Sequence, residues 1–223
     1  MSKQERATRT RNALIRSAAR LFEQHGYVQT GLTAISSGAE VSRGALTFHF
    51  ENKAAVASAV EQVAVHLLRR VVRQATLGQS NAMQAMADMT HGFAYLLNED
   101  VVVRAGFHLN CDWAQGTDLD LRQEWQGRVR SCVTQAADDE ALLPDTSLEA
   151  LVNTVTSATL GMEILSRRDK VWLSRCTVTG FWQQLLVAVC AEKARAATDP
   201  RGSDKVLEQI AEIHRQFTRA LPQ

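Results

Sequence analysis

A chain of 223 residues, 45% of them hydrophobic, is long enough to bury a sizeable core, and its length suits two compact parts. The net charge of +1 gives the whole neither a strongly acidic nor a strongly basic character. The longest apolar run, LLVAVCA, is too short to span a bilayer and no leader pattern opens the chain, so no membrane partner and a cytoplasmic location are expected.

Only three prolines occur, period-two alternation is hard to find, and apolar residues recur at three- and four-residue spacing, which predicts an all-α chain. Cys111, Cys132, Cys176 and Cys190 lie far apart without a C-x-x-C pair. Neither a metal cluster nor a disulfide framework is indicated, and no metal or cofactor is expected. The charge is unevenly placed: residues 1–75 carry eleven Lys or Arg and five Glu, leaving a surplus of negative charge for the rest. The N-terminal part is therefore the candidate anion-binding part, a solvated basic face being the plainer alternative.

In chain order, residues 4–24 put Leu14, Ala18, Leu21 and Phe22 on one stripe, with Arg6, Arg9, Arg16 and Arg20 largely off it. That spacing predicts an amphipathic helix with a basic outer surface, stopped by Gly26. Thr33 serves as N-cap or early-turn residue of a short helix ending near Gly38, and Ser42 caps a second short helix. Two short helices about a turn of three or four residues form a helix-turn-helix, which needs the first helix packed across it. A fourth helix, from Asn52 to about Ala75, reads as a connector. Further helices are predicted near 80–98, 101–112, 118–138, 147–167, 170–196 and 203–220, separated by NED, DWAQGTD, DDEALLPDT and TDPRGSD. The two near 147–167 and 170–196 are apolar on more than one side, which fits either an internal core or a self-associating pair that makes a two-fold homodimer.

The stretch VSRGALTFHFENKAAV, residues 41–56, concentrates the chemistry. A recognition helix needs a small or polar start, cations that reach phosphate or guanine, and no acid between them. Ser42 and the amides of the helix start can meet a phosphate. Arg43 can pair with the O6 and N7 of guanine, and Gly44 lets the backbone approach the duplex. Thr47 can touch a thymine methyl or a phosphate, while His49 and Lys53 can reach further phosphates, and Arg6, Arg9 and Thr33 are further candidate DNA contacts. Phe48 and Phe50 are read as core plugs that hold the helix down.

With ALIRSAARLFEQHGYVQTGLTAIS before it, the run S-R-G-A-L-T-F-H-F followed by Lys53 resembles the DNA-binding domain of the TetR family of transcriptional repressors. The likeness covers residues 5–56. It implies residues 1–53 as a helix-turn-helix domain for double-stranded operator DNA and residues 54–223 as a ligand-binding and dimerisation domain. Members commonly carry Tyr where this chain has Thr47.

The segments VVVRAGFHLN, QEWQGR and SATLGMEI, and the opening KQERATRTRNALIRSAARLFEQHGY, are similar to the γ-butyrolactone autoregulator receptors of antibiotic-producing actinobacteria. That resemblance implies a small apolar signalling ligand, a pocket wall at Trp125 and a carbonyl-binding hydroxyl at Thr159, with Gln62, His66, Phe107 and Met162 as further lining candidates. Members often have Gln at the position of Ala64, so the chain reads either as a receptor or as a pseudo-receptor answering to an antibiotic or its precursor. The rival classes are a ligand-independent architectural protein and an enzyme. Against the enzyme stand dispersed histidines and the lack of H-E-x-x-H or G-x-S-x-G.

Overall fold

The computed structural model describes residues 2–79, 81–112 and 120–220, and it is all-α. The DWAQGTD connection, beyond Asp112, lies outside the described residues. The chain divides into two compact units that do not follow chain order.

The first unit holds α1 (Lys3–Gln29), α2 (Leu32–Gly38), α3 (Arg43–His49), α4 (Lys53–Thr76) as far as Leu68, α6 (Val101–Asp112) and the end of α11 (Asp204–Ala220). α1 breaks at Gly26, where its stop is expected, but continues beyond the kink to Gln29: Gly26 has φ 76 and ψ 163, values that break a helix and that Gly adopts without a Cβ penalty. α2 begins after Gly31, so Thr33 takes the early-turn role and not the cap. Leu14, Ile15, Phe22, Ile35, Leu46, Phe50, Val56 and Val60 form one core with Val102, Ala105 and Leu109 of α6. Each large side chain removed from water there contributes about 1.5–3 kcal/mol. Ser17 Oγ donates to the Ile35 carbonyl at 2.8 Å, tying α1 to α2 inside the core.

The expectation that Phe48 plugs this core is overturned, since its ring is 80% exposed. Leu46 and Phe50, four residues apart, occupy the inward face, and Phe48 lies about 200° round the helix from Leu46. Arg16 also departs from its expected outward placement, with Nε and Nη2 buried and without a hydrogen-bond partner among the described residues.

α6 lies hard against α4. A Cβ on Gly106 would sit 2.6 Å from Ala64 Cβ and 2.8 Å from the Val60 carbonyl oxygen. Backbone cannot yield as a side-chain tip can, so Gly106→Ala is expected to destabilise the protein. The overpacking costs about 1–3 kcal/mol, which the gain of about 1 kcal/mol in helix propensity only partly offsets. A lowered urea midpoint with unchanged slope checks it.

The second unit holds the end of α4, α5 (Ala82–Glu99), α7 (Leu121–Asp138), α8 (Leu148–Ser166), a 3-10 turn (Lys170–Leu173), α9 (Arg175–Val189), α10 (Glu192–Ala196) and α11 up to Ile213. α5 is buried nearly all round, including its polar Gln84, Asp88 and His91. These three share a helix face on which the TDPRGSD loop docks. The Asp199 amide donates to Gln84 Oε1 at 2.7 Å, the Ser203 amide to Asp88 Oδ1 at 2.6 Å, and His91 Nε2 meets the Pro200 carbonyl at 2.9 Å. Burial pushes the Asp88 carboxyl up, against the Ser203 and Gln84 hydrogen bonds that pull it down.

The helix expected over 170–196 is broken twice. Ser174 caps α9 by accepting from the Thr177 amide. At Cys190 the backbone turns extended and pairs with Leu142, with Leu143 N donating to Val189 O and Ala191 N to Ala141 O. An apolar run that could have stayed helical is thus stopped by hydrogen bonds to a segment almost fifty residues away.

Candidate nucleic-acid interface and effector-site residues

α3 forms because Ser42 Oγ accepts from the Ala45 amide at 3.1 Å, as an N-cap should, and because Leu46 and Phe50 anchor its inner face. Its outer face then follows from helical spacing. Arg43 and Thr47 stand four residues apart, and Gly44 and Phe48 stand beside them, all exposed. α3 has no acid in its first turn. Space beyond Gly44 is open, the nearest atom to a Cβ there being Ser42 Oγ at 3.8 Å.

Arg43 Nη1 donates to Thr33 Oγ1 at 3.2 Å, bringing two of the sequence-predicted contacts together across the turn between α2 and α3. The Thr47 hydroxyl lies within hydrogen-bonding distance of the Arg43 and Gly44 carbonyls, at 3.3 and 3.1 Å, so its hydrogen is used within the helix. His49 is half-buried against the Phe48 ring, 5.1 Å between centroids and edge-on. Burial and then the charge of Arg11 lower its pKa, which favours the neutral imidazole. Lys53 Nζ donates to the carbonyls of Tyr27 and Val28 at 3.0 and 3.2 Å and lies 4.4 Å from the centre of the Tyr27 ring. It pins the start of α4 to the kinked end of α1. Arg6 and Arg9 are exposed on α1.

Among the effector candidates, Gln62 and His66 stand exposed on α4 and Phe107 is buried, all in the first unit. In the second unit Trp125 is 5% exposed and Thr159 is 2% exposed, and Trp125 Nε1 donates to Thr159 Oγ1 at 2.7 Å. The Thr159 hydroxyl donates in turn to the Val155 or Thr156 carbonyl, at 2.9 or 3.0 Å. Phe93 of α5 stacks on the indole, 4.6 Å between centroids. Met162, one turn beyond Thr159, is half-buried. Sequence reasoning passed over Phe93, although its apolar ring on a helix rich in methionine was the available signal.

Residues 14–60 match the family of bacterial regulatory proteins, tetR family. The A-factor receptor protein of Streptomyces griseus is 26% identical over 95% of this chain and 75% of its own length. The crystal structure of a gamma-butyrolactone receptor, an ArpA-like protein, superposes with a TM-score of 0.74 over 93% of this chain and 98% of its own, at 23% identity. CprB of Streptomyces coelicolor, solved in complex with its biological operator sequence, superposes with a TM-score of 0.73 over 95% and 99%, at 24% identity. Among the described residues no helix is long and apolar enough to cross a membrane. The matched segment contains α2 and α3 entire, and with it the capped helix that carries Arg43; over residues 14–60 the chain is similar to the tetR-family regulators, and over nearly its whole length it resembles the A-factor receptor protein.

Proposed function

We propose that the protein is a cytoplasmic, homodimeric repressor of a pseudopalindromic operator, released by a small apolar signalling molecule of the γ-butyrolactone type and controlling antibiotic or other secondary-metabolite genes. Residues 1–53 meet the DNA, and residues 54–223 sense the ligand and pair the subunits. The observation that carries this reading is the outer face of α3, where Arg43 stands exposed, braced by Thr33 and free of neighbouring acid in the first turn. Self-association is supported by large apolar side chains left exposed in the second unit, among them Leu148, Ile164 and Leu165 of α8 and Val187 of α9.

The effector reading rests on Trp125 and Thr159, a flat apolar wall and one buried hydroxyl. Because the two bond to each other, an effector carbonyl exchanges with that bond, taking the Trp125 N–H or the Thr159 hydroxyl. Ala64 is fully buried against Gly106, leaving no room for the Gln common in receptors of this kind. That favours, as a second reading, a pseudo-receptor whose effector differs in polarity.

Selection of binding duplexes from a random pool by the purified protein tests the proposal. An inverted repeat with half-site centres about 34–36 Å apart is expected, with affinity falling steeply as salt rises. Addition of a culture extract or a synthetic γ-butyrolactone should release the DNA. Binding that is indifferent to salt sinks the repressor reading, and binding that nothing relieves favours an architectural protein. Arg43→Ala is expected to cost about 1–3 kcal/mol on the selected sequence and to relax preference at one base pair; equal loss on every duplex reassigns it to phosphate.

A further inference from the structure

An aromatic ring that is 80% exposed calls for a reason when it stands on the face that carries Arg43 and Thr47. Phe48 is not left loose. Its ring packs edge-on against His49, 5.1 Å between centroids and at 82°, and His49 is itself half-buried. One turn earlier on the same side Gly44 presents no side chain, and nothing but Ser42 Oγ lies within 4 Å of where a Cβ would be. α3 thus offers a propped apolar surface beside an empty position.

A phenyl ring has no donor or acceptor, so pressing it on phosphate would strip water from charged oxygens without return. The major groove presents one apolar group at its base edges, the C5-methyl of thymine, and apolar side chains including Phe read it by contact. Resting on the operator-binding reading above, we infer that Phe48 is a sequence-reading residue that packs on a thymine methyl in each half-site. The specificity of α3 then divides between a guanidinium that reads hydrogen-bond acceptors and a ring that reads a methyl group.

The test uses the full-length protein and the duplex it selects from a random pool. Each thymine of a half-site is replaced singly by deoxyuridine, which removes only the methyl. At one position the wild type should lose roughly three- to fivefold in affinity, the effect of one buried methyl. Phe48→Ala should lose nothing further there, Phe48→Leu should keep part of the methyl dependence, and Thr47→Ser should keep all of it. Because the ring is exposed, Phe48→Ala should melt with the wild type.

The inference is overturned if no deoxyuridine separates wild type from Phe48→Ala, or if the methyl dependence vanishes with Thr47→Ser instead. Equal weakening of Phe48→Ala on every duplex also overturns it, placing the ring on the sugar–phosphate backbone. A lowered melting point for both Phe48→Ala and Phe48→Leu does so as well, making the ring structural. A pool that yields no preferred sequence sinks the operator reading itself, whereas a preferred sequence without Phe48-dependent methyl reading removes only this inference.

Discussion

Trp125→Ala is expected to lower stability by about 3–5 kcal/mol, the range for emptying a buried aromatic site. The indole is 5% exposed, stacked on Phe93 at 4.6 Å and bonded to Thr159, so truncation leaves a cavity lined by both. Urea denaturation of the purified variant checks the figure, and a change under about 1 kcal/mol would mean that the site collapses without cost. Trp125→Phe separates packing from polarity. It keeps part of the stacked surface, leaves a smaller void than Ala, and removes the N–H bond, whose net contribution is about 0.5–1.5 kcal/mol. The Thr159 hydroxyl retains its carbonyl acceptor in that variant, so no buried donor is orphaned. If the effector carbonyl uses the indole N–H, Trp125→Phe should bind DNA as the wild type does and fail to release it. Release at wild-type effector concentrations would make Trp125 a wall and nothing more.

Asp100→Ala should cost about 3 kcal/mol or more, because one buried carboxylate holds several partners. It accepts from the Val102 and Val103 amides at 2.7 and 3.3 Å, capping α6, and meets His214 Nε2 of α11 at 2.9 Å. Burial alone would raise its pKa. The His214 hydrogen bond, the Val102 amide and the charges of His214 and Arg16 outweigh that, and the net shift is downward. A carboxylate with a lowered folded pKa contributes stability that is complete above the unfolded value near 4 and is lost as pH falls through the folded one. Wild-type stability should therefore decline on acidification below about pH 4, and Asp100→Asn should flatten that part of the profile while lowering the plateau above it. An Asn variant with an unchanged acid limb would show that other carboxylates control it.

The local part of this architecture was legible in the sequence because its causes are local. Ser42 before a short apolar repeat, Gly26 after a basic amphipathic stretch and Asn52 before α4 each announce a boundary through a backbone preference or a cap. Asn52 Oδ1 does accept from the Ala55 amide, at 2.9 Å. What escaped depends on distant partners. The break at Cys190 comes from backbone pairing with Leu142, and the polar stripe Gln84, Asp88, His91 gains its meaning only when residues 198–203 dock on it. Phe48 was misplaced for a different reason. Aromatic character was taken as a sign of burial, when the four-residue step from Leu46 to Phe50 already assigned the inner face and left Phe48 outside.

On the effector side, composition told less than resemblance did. Trp125 and Thr159 were picked out as two separate contacts, and their mutual hydrogen bond makes them a single buried element. Gln62 and His66, chosen because they flank Ala64, lie at the surface of α4, while Ala64 itself faces Gly106.

The core shared by α1, α2, α3, α4 and α6, closed by the Asp100–His214 contact, also sets a timetable for synthesis. α1 leaves the ribosome first, yet the side chains of Val102, Ala105 and Leu109 that cover it arrive some eighty residues later, and His214 arrives about two hundred residues later. Until then the core that α1 shares with α2, α3 and α4 lacks the side α6 supplies, and the nascent chain is open to aggregation and to chaperone capture. A nascent chain of this protein stalled after α4 should thus be protease-sensitive throughout its first helices, and the ability to hold DNA should appear only as the last helix emerges.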